Sequence, residues 1–297
     1  MFFPDDDKLL ANLASGKPSL AAFCFSHPNM IEVAGLAGFD CFMADMMFTA
    51  HDWDNIAHLI RAARGSGISP MIRVQTFPWA GGGMDTRTVS DAARAFSLGA
   101  TSVTVSVQSK EEVRVLVRLR EDWHRLIHLR RFWTADDFPA FVTKVRNSTL
   151  FVPTIESAGA LRDLDDILAI DDIRLVWLAA GDLTKILGVP FKYEHPKVLK
   201  VVERAVEVGA RHGASIMYNM GLDSQDFDEL GDAARRIFDM GVKVVGLGAM
   251  EWHMQMALQQ MRRRALPPQP RTARAGAKGS LQRGGRAGPR RPISART

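Results

Sequence analysis

The stretch "TLFVPTIESAGALRDLDDILAIDDIRLVWLAAGDLTKIL" (149–187) holds two apolar runs, 149–157 and 174–180, with an amphipathic segment between them. The first run ends in Glu156, and Gly181 and Asp182 follow the second. Runs this continuously apolar are strands buried on both faces of a parallel sheet. Parallel neighbours need a crossover, here a helical one. Outward from this unit the pattern repeats. Further strand-like runs lie at 19–25, 41–46, 69–75, 102–108, 215–221 and 244–249, with helical segments between. Ile56, Leu59, Ile60 and Ala63 mark one helix face, and Met254, Ala257, Leu258 and Met261 another, read as core or subunit-contact surfaces. Asp52, Asp85 and His195-Pro196 are helix starts; the stretches 37–39, 98–100, 212–214 and 240–242 are helix ends. Eight β-then-α units in about 260 residues predict an α/β fold, a (β/α)8 TIM barrel of parallel strands. A doubly wound sheet is the alternative, but no G-x-G-x-x-G follows the first strand and no phosphate-loop motif occurs. Residues 109–148 exceed what one helix needs and are read as an insertion after the fourth strand.

The chain has 297 residues, 46% of them hydrophobic, enough for a large core. Cys24 and Cys41 both sit in apolar runs and are expected to be reduced, as in a cytoplasmic protein. No stretch of about 18 apolar residues exists, so no membrane span is expected. The opening "MFFPDDDKLL" has acids where a secretory signal needs bases. The net charge of +5 hides eleven positive charges from Arg262 onward with no acid among them, so residues 1–261 carry −6. The barrel is therefore placed in 1–264. The Pro/Gly/Arg-rich residues 265–297 are expected to be a disordered tail. The tail lacks interleaved aromatics and follows no nucleic-acid-binding fold, so nucleic acid is not the expected partner.

In a barrel of this class the active site forms at the C-terminal strand ends. The polar residues there are Asp45, Arg73, Glu156 and Asp182. Two carboxylates at one barrel mouth repel unless they share a proton or hold a cation. Carboxylate ligands with positions left to water and substrate suit Mg²⁺ or Mn²⁺. The planar fork of Arg73 suits a carboxylate or phosphate. Together these point to a 2-oxo acid bound through its carboxylate and keto oxygen.

The stretches "PTIESAGALRDLDDILAIDDIRLVWLAAGDLTKILGVP", "HPKVLKVVERAV", "AGFDCFMADM" and "SPMIRV" resemble the HpcH/HpaI aldolase and citrate lyase family over roughly residues 15–262. The resemblance implies a metal-dependent pyruvate-class aldolase on a (β/α)8 barrel. It implies a homo-oligomer (trimer or hexamer) whose C-terminal helix is exchanged between subunits. Its metal ligands fall on Glu156 and Asp182, with Mg²⁺ or Mn²⁺ as the ion and Co²⁺ as a third candidate. Its substrate-gripping arginine falls on Arg73, and the backbone amides of Gly181 and Asp182 are to meet the substrate carboxylate. The implied mechanism stabilises a pyruvate enolate as a carbon–carbon bond breaks or forms, with an aldehyde or other acceptor as second substrate.

The chain also departs from the family pattern. Asp45-Met46-Met47-Phe48 stands where the family has Asp-x-Glu-His, so the acid/base histidine is Phe48 here. Its partner carboxylate falls on Ser97, and a glutamine before the metal-binding Glu is Thr154. The family's loop after strand 4 is replaced by "REDWHRLIHLRRFW". Asp45 is expected to orient a water, His51 is the nearest replacement base, and Thr154 and Phe48 are taken as substrate-binding positions. His124 and His128 are weaker candidates, and "WAGGGMD" (79–85) is read as a long turn or lid. The function expected is a metal-dependent carbon–carbon lyase acting on a 2-oxo acid. Two alternatives stand beside it. One is a specialised relative, a citryl-CoA-like ester lyase or a bond-forming enzyme, with Met46, Met47 and Phe48 lining a pocket for a bulky acceptor. The other is a non-catalytic binding barrel.

Overall fold

Eight strands pair in chain order, all in parallel, and close into a barrel. They are β1 (Ser19–Cys24), β2 (Cys41–Asp45), β3 (Ser69–Arg73), β4 (Ser102–Val107), β5 (Leu150–Ile155), β6 (Leu175–Leu178), β7 (Ser215–Asn219) and β8 (Val244–Ala249). The computed structural model describes residues 7–24, 27–76, 84–122, 138–220 and 226–266. Each predicted strand is present, trimmed by a residue or more at some ends. The lid stretch 79–83, His124, His128 and the tail beyond 266 lie outside the described residues, as does the Cys24 side chain. Cys41 is a buried free thiol, pushed upward in pKa chiefly by burial.

Strand side chains alternate between two cores. Phe23, Met43, Met71, Val152, Trp177 and Met217 fill the barrel interior. Phe42, Ile72, Val105, Phe151 and Val176 face outward, against the helices. The same alternation turns Asp45, Arg73, Ser106 and Thr154 inward. Register sets Asp45 beside Arg73, Ser106 beside Thr154, and Thr154 beside Trp177. Gly246 on β8 makes room inside: a Cβ there would lie 2.9 Å from Cζ of Phe23. The Phe23 ring instead packs edge-on against Trp177, centroids 5.9 Å apart.

The outer layer holds α2 (Pro28–Leu36), α3 (Trp53–Gly65), α4 (Thr86–Leu98), α5 (Lys110–Asp122), α6 (Phe138–Asn147), α10 (Pro196–His212) and α11 (Phe227–Asp239). Short helices α7 (Ala158–Arg162), α8 (Leu164–Leu168) and α9 (Ala180–Ile186) flank β6. Asp52, Asp85 and His195 cap α3, α4 and α10 as expected, each accepting from a backbone N–H of the first turn. Helix α1 (Lys8–Ser15), absent from the sequence reading, closes the N-terminal end of the barrel. Leu9 enters the inner core, its N–H donates to Ser69 Oγ at 2.9 Å, and that hydroxyl donates to Asp7 at 2.7 Å. The chain separates into units 1–258 and 259–297. The last helix, α12 (Met250–Ala265), has no buried residue.

Candidate functional site

At the C-terminal strand ends Arg73 is buried between two carboxylates. Its Nη2 donates to Glu156 Oε2 at 2.7 Å and its Nη1 to Asp45 Oδ2 at 3.3 Å. Arg73, Asp45 and Glu156 are 6%, 4% and 6% exposed. A buried ion pair keeps its charges only when further hydrogen bonds satisfy them, and both carboxylates have such bonds. Ser106 Oγ donates to Glu156 Oε1. Asp45 Oδ1 accepts from Met47 N at 2.7 Å and Phe48 N at 3.2 Å. That turn explains the apolar residues after Asp45. Met46 and Met47 are turned into the protein and buried, with Met46 in the outer core. Neither is among the residues lining the cavity at the strand ends. Phe48 is left 64% exposed and stacks on the guanidinium, its centroid 5.3 Å from Arg73 Cζ. Trp177 stacks at 5.1 Å, so two aromatic rings flank Arg73.

These groups open onto a cavity of about 200 Å³. Asp45, Arg73, Glu156, Gly181, Asp182 and Asn219 line it with a partly apolar wall that includes Phe23, Met43, Trp177 and Trp252. The structure thus brings together the expected Asp45, Arg73, Glu156, Gly181 and Asp182. Thr154 does not reach the ligand space. It points inward one layer below Glu156, fully buried, its hydroxyl without a hydrogen-bond partner among the described residues. His51 is not at the cavity either. It lies before α3, with Nδ1 2.9 Å from Asn55 Nδ2. Among the described residues no histidine lines the cavity.

Burial is the main force raising the pKa of Glu156; Arg73 and Ser106 pull it down, and the charge of Asp182 adds to the rise. Three carboxylates and one guanidinium line the cavity, leaving two negative charges in excess among the described residues. A divalent cation would offset that excess. The donors are hard oxygens, and no group of three or more His, Cys, Asp or Glu side chains assembles among the described residues. This suits an ion that keeps water or substrate ligands and takes one or two carboxylates. Both Glu156 oxygens already accept one hydrogen bond, yet each keeps a second lone-pair site. Asp182 Oδ1 meets Lys185 Nζ at 3.0 Å, a partly exposed pair that is a weak hold on the carboxylate. Glu156 and Asp182 therefore fit a magnesium-like ion.

The sequence reading missed Ser106, Trp177 and Asn219. The polar alternation Ser102, Thr104, Ser106 in an otherwise apolar strand was the available sign for the first. Trp177 and Asn219 become partners only through the β6–β7 register.

Comparison with known proteins places this geometry in context. Residues 23–247 match the sequence family described as HpcH/HpaI aldolase/citrate lyase. The 5-keto-4-deoxy-D-glucarate aldolase of Escherichia coli (strain K12) is 25% identical over 258 residues, covering 83% of this chain and 91% of the relative. The hydroxypyruvate/pyruvate aldolase of Agrobacterium fabrum is 24% identical, covering 82% and 88%. The crystal structure of an HpcH/HpaI aldolase from Desulfitobacterium hafniense DCB-2 superposes with a TM-score of 0.71 at 22% identity, covering 88% and 98%.

Proposed function

We propose, from the premise that the chain belongs to the HpcH/HpaI aldolase/citrate lyase family and is a lyase of that type, that it makes or breaks a carbon–carbon bond next to a 2-oxo acid held in this cavity. One observation carries the reading: Arg73 bridges Asp45 and Glu156 in the same cavity as Asp182. Glu156 and Asp182 would hold a divalent cation, Mg²⁺ or Mn²⁺ with Co²⁺ as a third candidate, which supplies Lewis-acid stabilisation at the keto oxygen when bound. Arg73 binds the substrate. Each Nη gives one N–H to a carboxylate and keeps a second, and these second N–H groups are the donors it offers a ligand oxygen in the cavity. Its charge faces the enolate that forms as the bond breaks. Asp45 is held rigid by two backbone amides, fixes the far end of the guanidinium, and offers cavity solvent a fixed acceptor for the hydroxyl proton. The backbone of Gly181 and Asp182 borders the space for the substrate carboxylate.

Substrates named for the relatives are pyruvate, hydroxypyruvate and a keto-deoxy sugar acid, which supports a 2-oxo acid here. The acceptor is an aldehyde or similar electrophile. Oxaloacetate decarboxylation is the expected side reaction, because it starts without a protein base. Exchange of the pyruvate methyl protons for deuterium, with Mg²⁺, Mn²⁺ and Co²⁺ in turn, tests the reading. Metal-dependent exchange, lost in Glu156→Gln and Asp182→Asn, is the expected result. No metal-dependent turnover, or turnover unchanged in both variants, would sink it.

A second reading has its own observation: the ring of Phe48 covers Arg73 where an imidazole would be expected. A barrel with altered chemistry would still exchange the protons, whereas a pure binding protein would not. We further propose a cytoplasmic homo-oligomer, a trimer or hexamer, with α12 exchanged between subunits. The unburied apolar side chains of α12 support the exchange. Among the described residues no helix is long and apolar enough to cross a membrane.

A further inference from the structure

The amide of Asn219, at the end of β7, has its orientation set by two neighbours. Its Oδ1 accepts from Trp177 Nε1 at 3.1 Å and from Ala180 N at 2.9 Å. Both partners can only donate, so the atom between them must be the oxygen. The Nδ2 group, with two N–H donors, then points the other way. Asn219 is half-buried and lines the cavity, and its Nδ2 makes no hydrogen bond among the described residues. In the closed barrel β7 lies across from β3, so this donor stands on the wall opposite Arg73. The charged groups beside it are carboxylates, which accept and cannot donate when ionised. An anionic ligand entering there needs donors on both sides, and Arg73 supplies only one.

We propose that Asn219 is a substrate-binding, specificity-determining residue whose Nδ2 donates to an oxygen of the bound 2-oxo acid. The proposal rests on the lyase reading above and adds to it a second recognition point. Trp177 is a positioning residue in this arrangement: it stacks on Arg73 and locks the Asn219 amide, joining both ends of the ligand space. A fixed donor of this kind selects ligands with an oxygen at that point, because an analogue lacking the oxygen leaves a desolvated N–H unpaired.

The test compares full-length wild type, Asn219→Ala and Asn219→Asp at pH 8 and saturating Mg²⁺. Calorimetry reads binding of pyruvate and of oxalate, an unreactive mimic, and thermal unfolding is followed in parallel. Asp keeps an oxygen for Trp177 and Ala180 but turns an acceptor toward the ligand. Asn219→Ala is expected to bind about tenfold more weakly, one lost hydrogen bond. Asn219→Asp should bind more weakly still while unfolding near the wild-type temperature. A purely structural Asn219 gives the reverse order, with Asp close to wild type and Ala worst. That order, or both variants binding within about twofold of wild type, overturns the proposal. Failure of wild type itself to bind either ligand with Mg²⁺ or Mn²⁺ overturns the underlying lyase reading as well, and is thereby distinguished.

Discussion

Arg73 combines two carboxylate partners with two aromatic faces, and only a guanidinium can serve all four. A lysine ammonium is a point charge and cannot span Asp45 and Glu156 while stacking on Trp177. Arg73→Lys should therefore lower kcat/KM by on the order of 100-fold, with cavity charge retained. A variant with near-normal 2-oxo acid turnover would show that the bridge is dispensable. Glu156 gives a pH prediction. Burial raises its pKa above the ordinary glutamate value, so the folded protein holds this proton to a higher pH than the unfolded chain does. Its stabilising contribution is full below the unfolded pKa and is lost as pH rises through the folded one. In chelator-treated protein, the stability of wild type relative to Glu156→Gln should fall as pH rises across that interval. Urea denaturation at a series of pH values measures it, and a flat difference would refute the burial argument. Activity runs the other way, since the ionised form is needed for cation binding: kcat/KM at limiting metal should drop as pH falls and Glu156 takes up its proton.

At the scale of elements, the turn from β5 into α7 is what holds Glu156 still. Ser157 Oγ accepts from Ala160 N at 3.1 Å and donates to Val107 O at 3.1 Å, tying the helix start to β4. Gly159 lets α7 approach the β4–α5 turn. A Cβ there would sit 2.3 Å from the Gln108 carbonyl oxygen, a backbone atom with little freedom to yield. Gly159→Ala should cost about 1–3 kcal/mol of stability in denaturant titration, as overpacking does. It should also reduce turnover, because the contact lies three residues from Glu156. At the other end of the barrel, Leu9→Ala should cost about 2–5 kcal/mol without altering KM, since Leu9 is fully buried far from the cavity. The strands were legible because buried parallel strands leave long apolar runs, and the strand-end carboxylates stood out against them. Helix α1 was not legible. Its eight residues mix polar and apolar, and Leu9 belongs to the core only because Ser69 and Asp7 tie it there. Near Asp45, composition alone could not tell Met46, Met47 and Phe48 apart. The two amides bonded to Asp45 decide which side chains are buried and which one covers Arg73.

For the molecule as a whole, the barrel buries its own helices well except at the end. Helix α12 carries exposed Trp252, Met254, Leu258 and Met261 and contributes no buried residue. Side chains of that size are seldom left together on a monomer's surface. Met254, Leu258 and Met261, four and three residues apart, make one helical stripe, the form in which a helix presents itself to a groove, whereas Trp252 borders the cavity. A second copy of the chain as its cover agrees with the exchanged helix proposed above. It predicts that the purified protein sediments as a trimer or hexamer at micromolar concentration. Charges in the middle of the stripe should break the assembly: Leu258→Glu with Met261→Glu is expected to shift the protein to smaller species while the circular dichroism of the barrel stays unchanged. Sedimentation velocity on both proteins decides the matter. A wild type that runs as a monomer, or a double variant that assembles like wild type, rules out this helix as the subunit contact. The deuterium exchange of pyruvate, measured on the same samples, then tells whether the cavity works in a lone barrel. Asp45, Arg73, Glu156 and Asp182 line one cavity from a single chain, so the dissociated variant should retain metal-dependent exchange even if its acceptor reaction is lost.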